Sequence, residues 1–501
     1  MKTTKTFGLM AMAIILTMVT ACNEWLDVKP TTELDQRDLL ATDRGYADAL
    51  TGLYTKMAST QLYGRNLTWG MLDILAGRYS EDYLGYGTIQ EQMGKYAYKR
   101  ANQNRSEDLI ATIDQVWATS YNIVANVNNL LASIDADANK FSDSNYSIMK
   151  GEMLGLRAFM HFDLLRMYGY PFPEGRDSLI MPYVTQFSTK TTPYVSEESV
   201  IDSIIGDLSQ AKQLMVADPM RTGSAPDITL APMPTGRYSR YGIPVWHNRR
   251  FRFNYYAATA LLARAYLWKG DKANAYAQAR EIIDVQENED KFTWVNSDNL
   301  SSIGTDNSNQ DRTFATEQLL SLNVPLKTID NYMDGYIYFG EKSINSSVDL
   351  LNSIVDCFED KTSDPRLQYL FNHTSDMYFL SKYYQDKNVY DFFQERIPLI
   401  RISEMYYIAA ECCDNVAEGV GYLNTVRDHR GLADDKIDTE ITKEELQEEI
   451  GKEYQKEFFG EGQLWFYYKR LHTMSVPNMS NFSGEDLYVF DRPQDEDLYR
   501  K

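Results

Sequence analysis

The chain has 501 residues, 71 acidic against 50 basic side chains for a formal net charge of −21, and a hydrophobic share of 44%. That charge repels nucleic-acid phosphate and anionic headgroups, which sets nucleic acid aside as a partner. The length suits two or three ordinary domains, or one large repeat-type domain with long insertions.

The first residues read as a secretion signal. Lys2 and Lys5 give a positive start, Phe7–Val19 is almost wholly apolar, and Val19-Thr20-Ala21-Cys22 sets small residues directly before a thiol. This is the pattern of a signal peptide, 1–21, cleaved to leave a lipid-bearing Cys22. An uncleaved membrane span is the alternative, but the apolar run is about fifteen residues where a span needs roughly twenty. Each buried acyl methylene contributes about 0.8 kcal/mol, so a multiply acylated cysteine moors a soluble body to a membrane surface. Residues 22–41 then form a polar, proline-containing tether.

Helical periodicity starts after Thr42-Asp43, with Tyr46, Leu50, Leu53 and Tyr54 at i, i+4, i+7 and i+8. Further helices are predicted over 107–135, over 145–169, which is apolar on nearly all sides and so covered from both flanks, and over 197–216. Residues 217–250 break into Pro, Gly, Met and Arg and read as an ordered crossing segment. Then comes a helix, the turn Lys269-Gly270-Asp271, and another helix. Leu262, Ala263, Tyr266, Gly270, Ala275 and Ala279 fall at the tetratricopeptide spacing, which a plain antiparallel pair would share. Helix pairs are thus expected at about 42–135, 145–216, 253–285 and 401–430, stacked because one pair alone cannot bury its apolar face. The stretch 287–400 is irregular and rich in Asn, Asp, Ser and aromatic residues, and an insertion of that length inside a compact protein is usually functional. A last helix opens on a capping box, Thr442 and Glu445, and is predicted to run unbroken to about 471.

No catalytic constellation is found. His161, His247, His373, His429 and His472 are isolated, and none has a second ligand at metal spacing. Gly460-Glu461-Gly462 falls inside the predicted last helix and lacks the context of a phosphate loop. Acidic pairs such as Glu81-Asp82 arise by chance among 71 carboxylates. The oxygen-rich run Asp306–Asp311 lacks the closing glutamate of a calcium loop and reads as a solvated turn. Cys357, Cys412 and Cys413 read as buried small hydrophobes. The expectation is a protein that is not an enzyme and carries no cofactor and no metal.

Thirty-six tyrosines and seven tryptophans suit a ligand with flat apolar faces and polar edges, such as a sugar, although most such rings serve packing. Two loop clusters are candidate binding surfaces. Trp69, Asp73, Arg78, Tyr79, Glu81, Asp82, Tyr83 and Tyr86 interleave rings with polar groups between the first two long helices, and Trp294, Tyr332 and Tyr336 lie in the insertion. The alternative is loops folded onto the helical body by their own aromatics.

Four stretches resemble the SusD/RagB family of outer-membrane nutrient-binding lipoproteins. The start continues as Cys22-Asn-Glu-Trp-Leu-Asp27-Val-Lys-Pro30, similar to that family's acidic, proline-ended leader. Gly151–Tyr170 reads GEMLGLRAFMHFDLLRMYGY, similar to its arginine-aromatic helix ending in Tyr-Gly, with Pro171 following. Arg401–Glu411 reads RISEMYYIAAE and Leu423–Leu432 reads LNTVRDHRGL, both close to family signatures. The last helix carries Glu453, Glu457, Glu461, Gly462, Trp465, Lys469 and Arg470 in the family's order, with Tyr454 and Tyr467 departing from it. The resemblance implies a mainly α fold from 42 to 501, with four tetratricopeptide-type pairs in a right-handed superhelical scaffold and long loops on one side. It also implies a glycan ligand, held by loops in the two regions singled out above, and a SusC-like TonB-dependent outer-membrane transporter over which the lipoprotein sits as a lid. A peptide or glycopeptide ligand, or a purely structural docking role in the envelope, are the alternatives.

Overall fold

A computed structural model of the chain describes residues 39–81, 84–141, 144–223, 249–301, 308, 310–333, 351–374, 377–383, 389 and 393–498. The signal sequence, Cys22, nearly all of the tether, most of the crossing segment, much of the Asp306–Asp311 run, Asp82, Tyr83 and Tyr336 lie outside the described residues.

Side-chain caps set where the long helices begin. Thr42 opens α1 (Asp43–Met57), Ser106 opens α2 (Glu107–Ile134), Ser196 opens α4 (Glu197–Leu214) and Asn254 opens α5 (Tyr255–Lys269), each accepting from backbone N–H groups of the first turn. Between α2 and α4 runs α3 (Asn145–Tyr168), buried on nearly every side as its all-round apolar sequence requires. Asp271 caps α6 (Lys272–Glu289) directly after the left-handed Gly270, and Asn415 caps α9 (Val416–His429) after α8 (Ile402–Cys412). The insertion contributes the amphipathic α7 (Leu326–Met333). Packing follows chain order: α1 and α2 pack together, α2 on α3, α3 on α4, α4 on α5, α5 on α6, α6 on α8, and α8 on α9. Close approach is built in at Gly155 of α3, where a Cβ would overlap the Phe253 ring. Among the described residues no helix is long and apolar enough to cross a membrane.

Among the described residues, three two-stranded antiparallel sheets pin the irregular parts. β1 (Leu179–Met181) pairs with β2 (Val195–Ser196), and β4 (Phe371–Thr374) pairs with β5 (Met377–Leu380). β3 (Gln318–Asn323) pairs with β6 (Arg396–Arg401), Gln318 opposite Arg401 and Asn323 opposite Arg396, which lays an inner segment of the insertion alongside its end.

The last helix is not continuous. The capping box at Thr442 and Glu445 is present and opens α10 (Lys443–Glu457), but the chain then turns and restarts as α11 (Gln463–Arg470). Gly460 and Gly462 both have positive φ, 81° and 69°, a region that only glycine enters without penalty. The Asp73 carboxylate fixes the break by accepting from Gly460 N at 2.7 Å and Gly462 N at 3.0 Å. Tyr454 and Tyr467, the two departures from the family pattern, stack on each other across the break at 4.4 Å.

α10 carries a row of buried carboxylates that gathers cations from distant segments. Glu457 accepts from Arg401 and Arg430 at 2.6 Å and from Arg366 at 3.0 Å, and Glu453 accepts from Arg427 at 2.7 Å and Arg366 at 2.9 Å. Glu461 takes Arg401 at 2.9 Å together with Lys382, while Glu317, just before β3, takes Arg430 at 2.7 and 2.8 Å. Burial works to raise the Glu453 pKa, but Arg366, Lys456 and Arg427 outweigh it and hold the carboxyl at about 2. Removing one cation strands carboxylates that water cannot reach. Arg401→Met is expected to lower unfolding stability in urea by about 3–5 kcal/mol, the usual loss on breaking a buried ion pair from one side.

Candidate functional site

An open groove of about 520 Å³ lies where the first repeat helix meets the insertion. One wall is the outer face of α1, with Arg44, Asp48, Thr51, Tyr54 and Thr55; the other is Asn323, Val324 and Pro325 after β3, with Thr328 and Tyr332 of α7. Phe251, Arg252 and Arg396 close the end between them. Periodicity places these α1 residues on the face away from Leu50 and Leu53, which go into the core.

The groove rests on a buried ionic floor. Glu152 of α3 is fully buried and accepts from Tyr54 Oη at 2.6 Å, from Arg252 Nε at 2.8 Å and from Arg249 Nη1 at 2.5 Å, and Arg249 also meets Asp218 at 2.5 Å. Burial raises the Glu152 pKa, yet Arg252, Arg249 and Tyr54 together hold it below the usual carboxylate value. The Tyr54 hydroxyl also accepts from Phe253 N at 2.8 Å, so its oxygen is held both as donor and as acceptor. Arg396 lies flat over Phe251 at 3.9 Å. At the mouth, Arg44 pairs with Asp48 at 2.9 Å. The surface offered is therefore the rings of Tyr54, Phe251 and Tyr332 with the hydroxyls of Thr51, Thr55 and Thr328 and the amide of Asn323 between them. Flat apolar faces with intervening hydrogen-bonding groups match a sugar ring.

Of the sequence-expected contacts, Tyr332 lines this groove and is half-buried. Trp294 does not: it stacks on His429 at 4.6 Å and tilts against Tyr406 at 5.3 Å, as packing on α8 and α9. The first cluster is corrected in the same sense. Trp69 is 1% exposed, the buried Tyr79 donates its hydroxyl to the Trp69 carbonyl at 2.7 Å, and Asp73 is fully buried on the glycine break, so all three side chains belong to the interior. Arg78 opens on a second recess of about 460 Å³ that shares no lining residue with the groove. Tyr86 stands 99% exposed between two left-handed glycines, Gly85 and Gly87.

Sequence reasoning missed Tyr54, Phe251, Arg252, Asn323 and Arg396. The one signal available was Tyr54 beside the exposed Thr51 and Thr55, an aromatic ring at the polar margin of a helix stripe. His161 serves structure, with Nδ1 2.9 Å from the Arg157 carbonyl and Nε2 accepting from Val184 N at 3.0 Å. Burial lowers its pKa to about 4. Cys357, Cys412 and Cys413 are free thiols. Among the described residues no group of three His, Cys, Asp or Glu side chains is placed to hold a metal.

Residues 24–225 match the family described as "Starch-binding associating with outer membrane", and residues 333–499 match the SusD family. Solved structures resemble about nine-tenths of the chain. A SusD-like carbohydrate binding protein from Bacteroides vulgatus ATCC 8482 is 18% identical with a TM-score of 0.65, covering 91% of this chain and 96% of its own. A SusD homolog from Bacteroides thetaiotaomicron VPI-5482 is 15% identical with a TM-score of 0.66, covering 93% and 97%. A laminarin binding SusD-like protein is 16% identical with a TM-score of 0.62, covering 91% and 98%. No curated protein sequence matches the chain.

Two buried carboxyls give a pH signature. Burial pushes Asp73 up to about 7 against the pull of Arg78 and the two glycine amides, and pushes Asp311 up to about 7 against Ala315 N and Thr316 N. Raised acids bind protons more tightly folded than unfolded, so their penalty is full above about pH 7 and is relieved as pH falls toward the ordinary value near 4. Unfolding stability is expected to rise between pH 8 and 5, by at least on the order of 1 kcal/mol per group, and Asp73→Asn should flatten part of that slope.

Proposed function

The chain belongs to the SusD/RagB family, and from that membership we propose that it is a non-catalytic lipoprotein of the outer-membrane surface that binds an oligosaccharide and hands it to a SusC-like TonB-dependent transporter. The observation that carries the ligand class is the groove between α1 and the insertion, where Tyr54, Phe251 and Tyr332 alternate with Thr51, Thr55, Thr328 and Asn323. Its charged groups are largely engaged within the protein: Arg252 by Glu152 and Arg44 by Asp48. Such a lining stacks on and hydrogen-bonds a neutral sugar chain without needing a charge on it.

In this reading Cys22 carries acyl chains, residues 22–41 tether the body, and a single helical domain from 42 presents the groove. Tyr332 is a stacking contact, and Tyr86, displayed on its glycine-flanked tip, meets the part of a long ligand or partner that extends beyond the groove. Tyr83 and Tyr336 complete the set of expected contacts. Support for the membrane assignment is the family's description as associating with the outer membrane and the sequence pattern before Cys22.

A glycan array probed with the lipid-free chain should show saturable binding to a defined oligosaccharide set and none to peptide pools. Tyr332→Ala is expected to weaken that binding about tenfold, or ~1.4 kcal/mol, by titration calorimetry; unaltered affinity would remove the groove from the assignment. Cys22→Ser in the full precursor should move the protein from the membrane fraction to the soluble fraction of fractionated cells, because no acyl chains would be attached.

A further inference from the structure

Most buried arginines in this protein meet a carboxylate. Arg157, Arg264, Arg366, Arg401 and Arg430 each meet one at 2.5 to 2.8 Å. Among the described residues Arg78 and Arg250 form no ion pair with a carboxylate, and Arg78 is the one of the two that lines an open recess. It is 6% exposed, its guanidinium lies on the Phe459 ring at 4.0 Å, one Nη donates to the Gln455 carbonyl, and Nε has no hydrogen-bond partner. Among the described residues no carboxylate forms an ion pair with it. The nearby Asp73 has both oxygens on the glycine amides of the helix break, and Asp356 stands exposed at the rim of the recess. The uncompensated charge reaches its surroundings, acting against the burial that raises the pKa of Asp73, Cys357 and Tyr468.

A buried charge without a counter-charge is strongly destabilising, so its presence beside a cavity points to a counter-charge supplied from outside. We propose that the recess at Arg78 is a second ligand site, separate from the groove, that takes a carboxylate-bearing sugar unit such as a uronic acid. The volume of about 460 Å³ lies in the range of small-molecule pockets. A guanidinium fork matches a planar carboxylate, Phe459 holds the fork's plane, and Tyr468 and Asn478 on the lining offer an apolar face and an amide to the ring that bears the acid. One cation with Asp356 at the rim suits a single negative charge and disfavours a dianionic phosphate. The choice of a sugar rests on the glycan reading above; the choice of a carboxylate rests on the recess alone.

Titration calorimetry of the lipid-free chain with galacturonate and glucuronate oligomers, against galactose and glucose oligomers of equal length, tests this. Acidic oligomers are expected to bind at least tenfold more tightly than their neutral counterparts, with the preference shrinking as salt is raised. Arg78→Met should abolish the preference, Arg78→Lys, which keeps the charge without the fork, should reduce it, and Tyr332→Ala in the groove should leave it intact. Thermal melting of Arg78→Lys confirms a folded variant if Arg78→Met unfolds. Equal binding of acidic and neutral oligomers, an unchanged preference in both Arg78 variants, or its loss in Tyr332→Ala would overturn the proposal. The glycan reading fails separately, if no oligosaccharide on an array binds at all.

Discussion

The structure depends on one constraint: three glutamates at four-residue spacing, Glu453, Glu457 and Glu461, must each find cations in a region closed to water. The cations come from elsewhere in the chain, Arg366 and Lys382 from the insertion, Arg401 from the end of β6, Arg427 from α9 and Arg430 from the residue that ends it. Apolar packing could hold these segments near one another in many registers. A buried bidentate pair tolerates only one, since a displaced arginine leaves two unneutralised charges in a low dielectric. The break after α10 belongs to the same device: it swings Glu461 off the helix axis to reach Arg401 and Lys382, and Asp73 locks the two glycines that make the turn.

This constraint reaches the groove through the β3 and β6 pair. Glu317 is bound by Arg430 just before β3 begins, and Arg401 is bound by Glu457 and Glu461 where β6 ends. The ladder between them fixes Asn323 opposite Arg396 at the other end of both strands, and both residues line the groove. The facing wall is set independently, by Glu152 of α3 holding Tyr54, Arg249 and Arg252. Two buried ionic centres, one on Glu152 in the repeats and one on the carboxylates of α10 and the turn after it, thus set the two walls of the groove, the first through Tyr54 and Arg252, which also line it.

The helices were legible because their signals are local. Thr42, Ser106, Ser196, Asn415 and Thr442 each cap a helix whose apolar stripe can be counted along the chain, and the Lys269-Gly270-Asp271 turn sits where a left-handed residue and an N-cap must follow each other. The break at 458–462 was not legible, because Trp465 and Tyr468 continue the helical register and the glycine conformations are decided by an aspartate 387 positions away. The same applies to the candidate site. A loop that alternates rings and polar groups can bind a ligand or dock on its own protein. What sends Trp69, Asp73 and Tyr79 inward are partners that only the fold brings near. Part of the tyrosine-rich composition is explained by hydroxyls that donate within the scaffold, to carboxylates as in Tyr46 to Asp137, Tyr63 to Asp163 and Tyr183 to Asp207, and to backbone carbonyls as in Tyr96 to Leu75 and Tyr168 to Ile113. Tyr54 does the same to Glu152, yet leaves its ring on the surface of the groove.

Charge is partitioned by depth. The chain is at −21, but most of its buried carboxylates are met by buried cations in shared clusters, so the excess of negative charge lies largely outside. An acidic exterior slows the approach of a densely charged polyanion at long range, while at physiological salt that repulsion is screened beyond about 8 Å. A short segment with an occasional acid would pass this barrier and come within reach of single, deeply set cations. Long-range field and local geometry would then select on different properties of the same chain: the exterior on overall charge density, and the recesses on the shape and single charge of one unit.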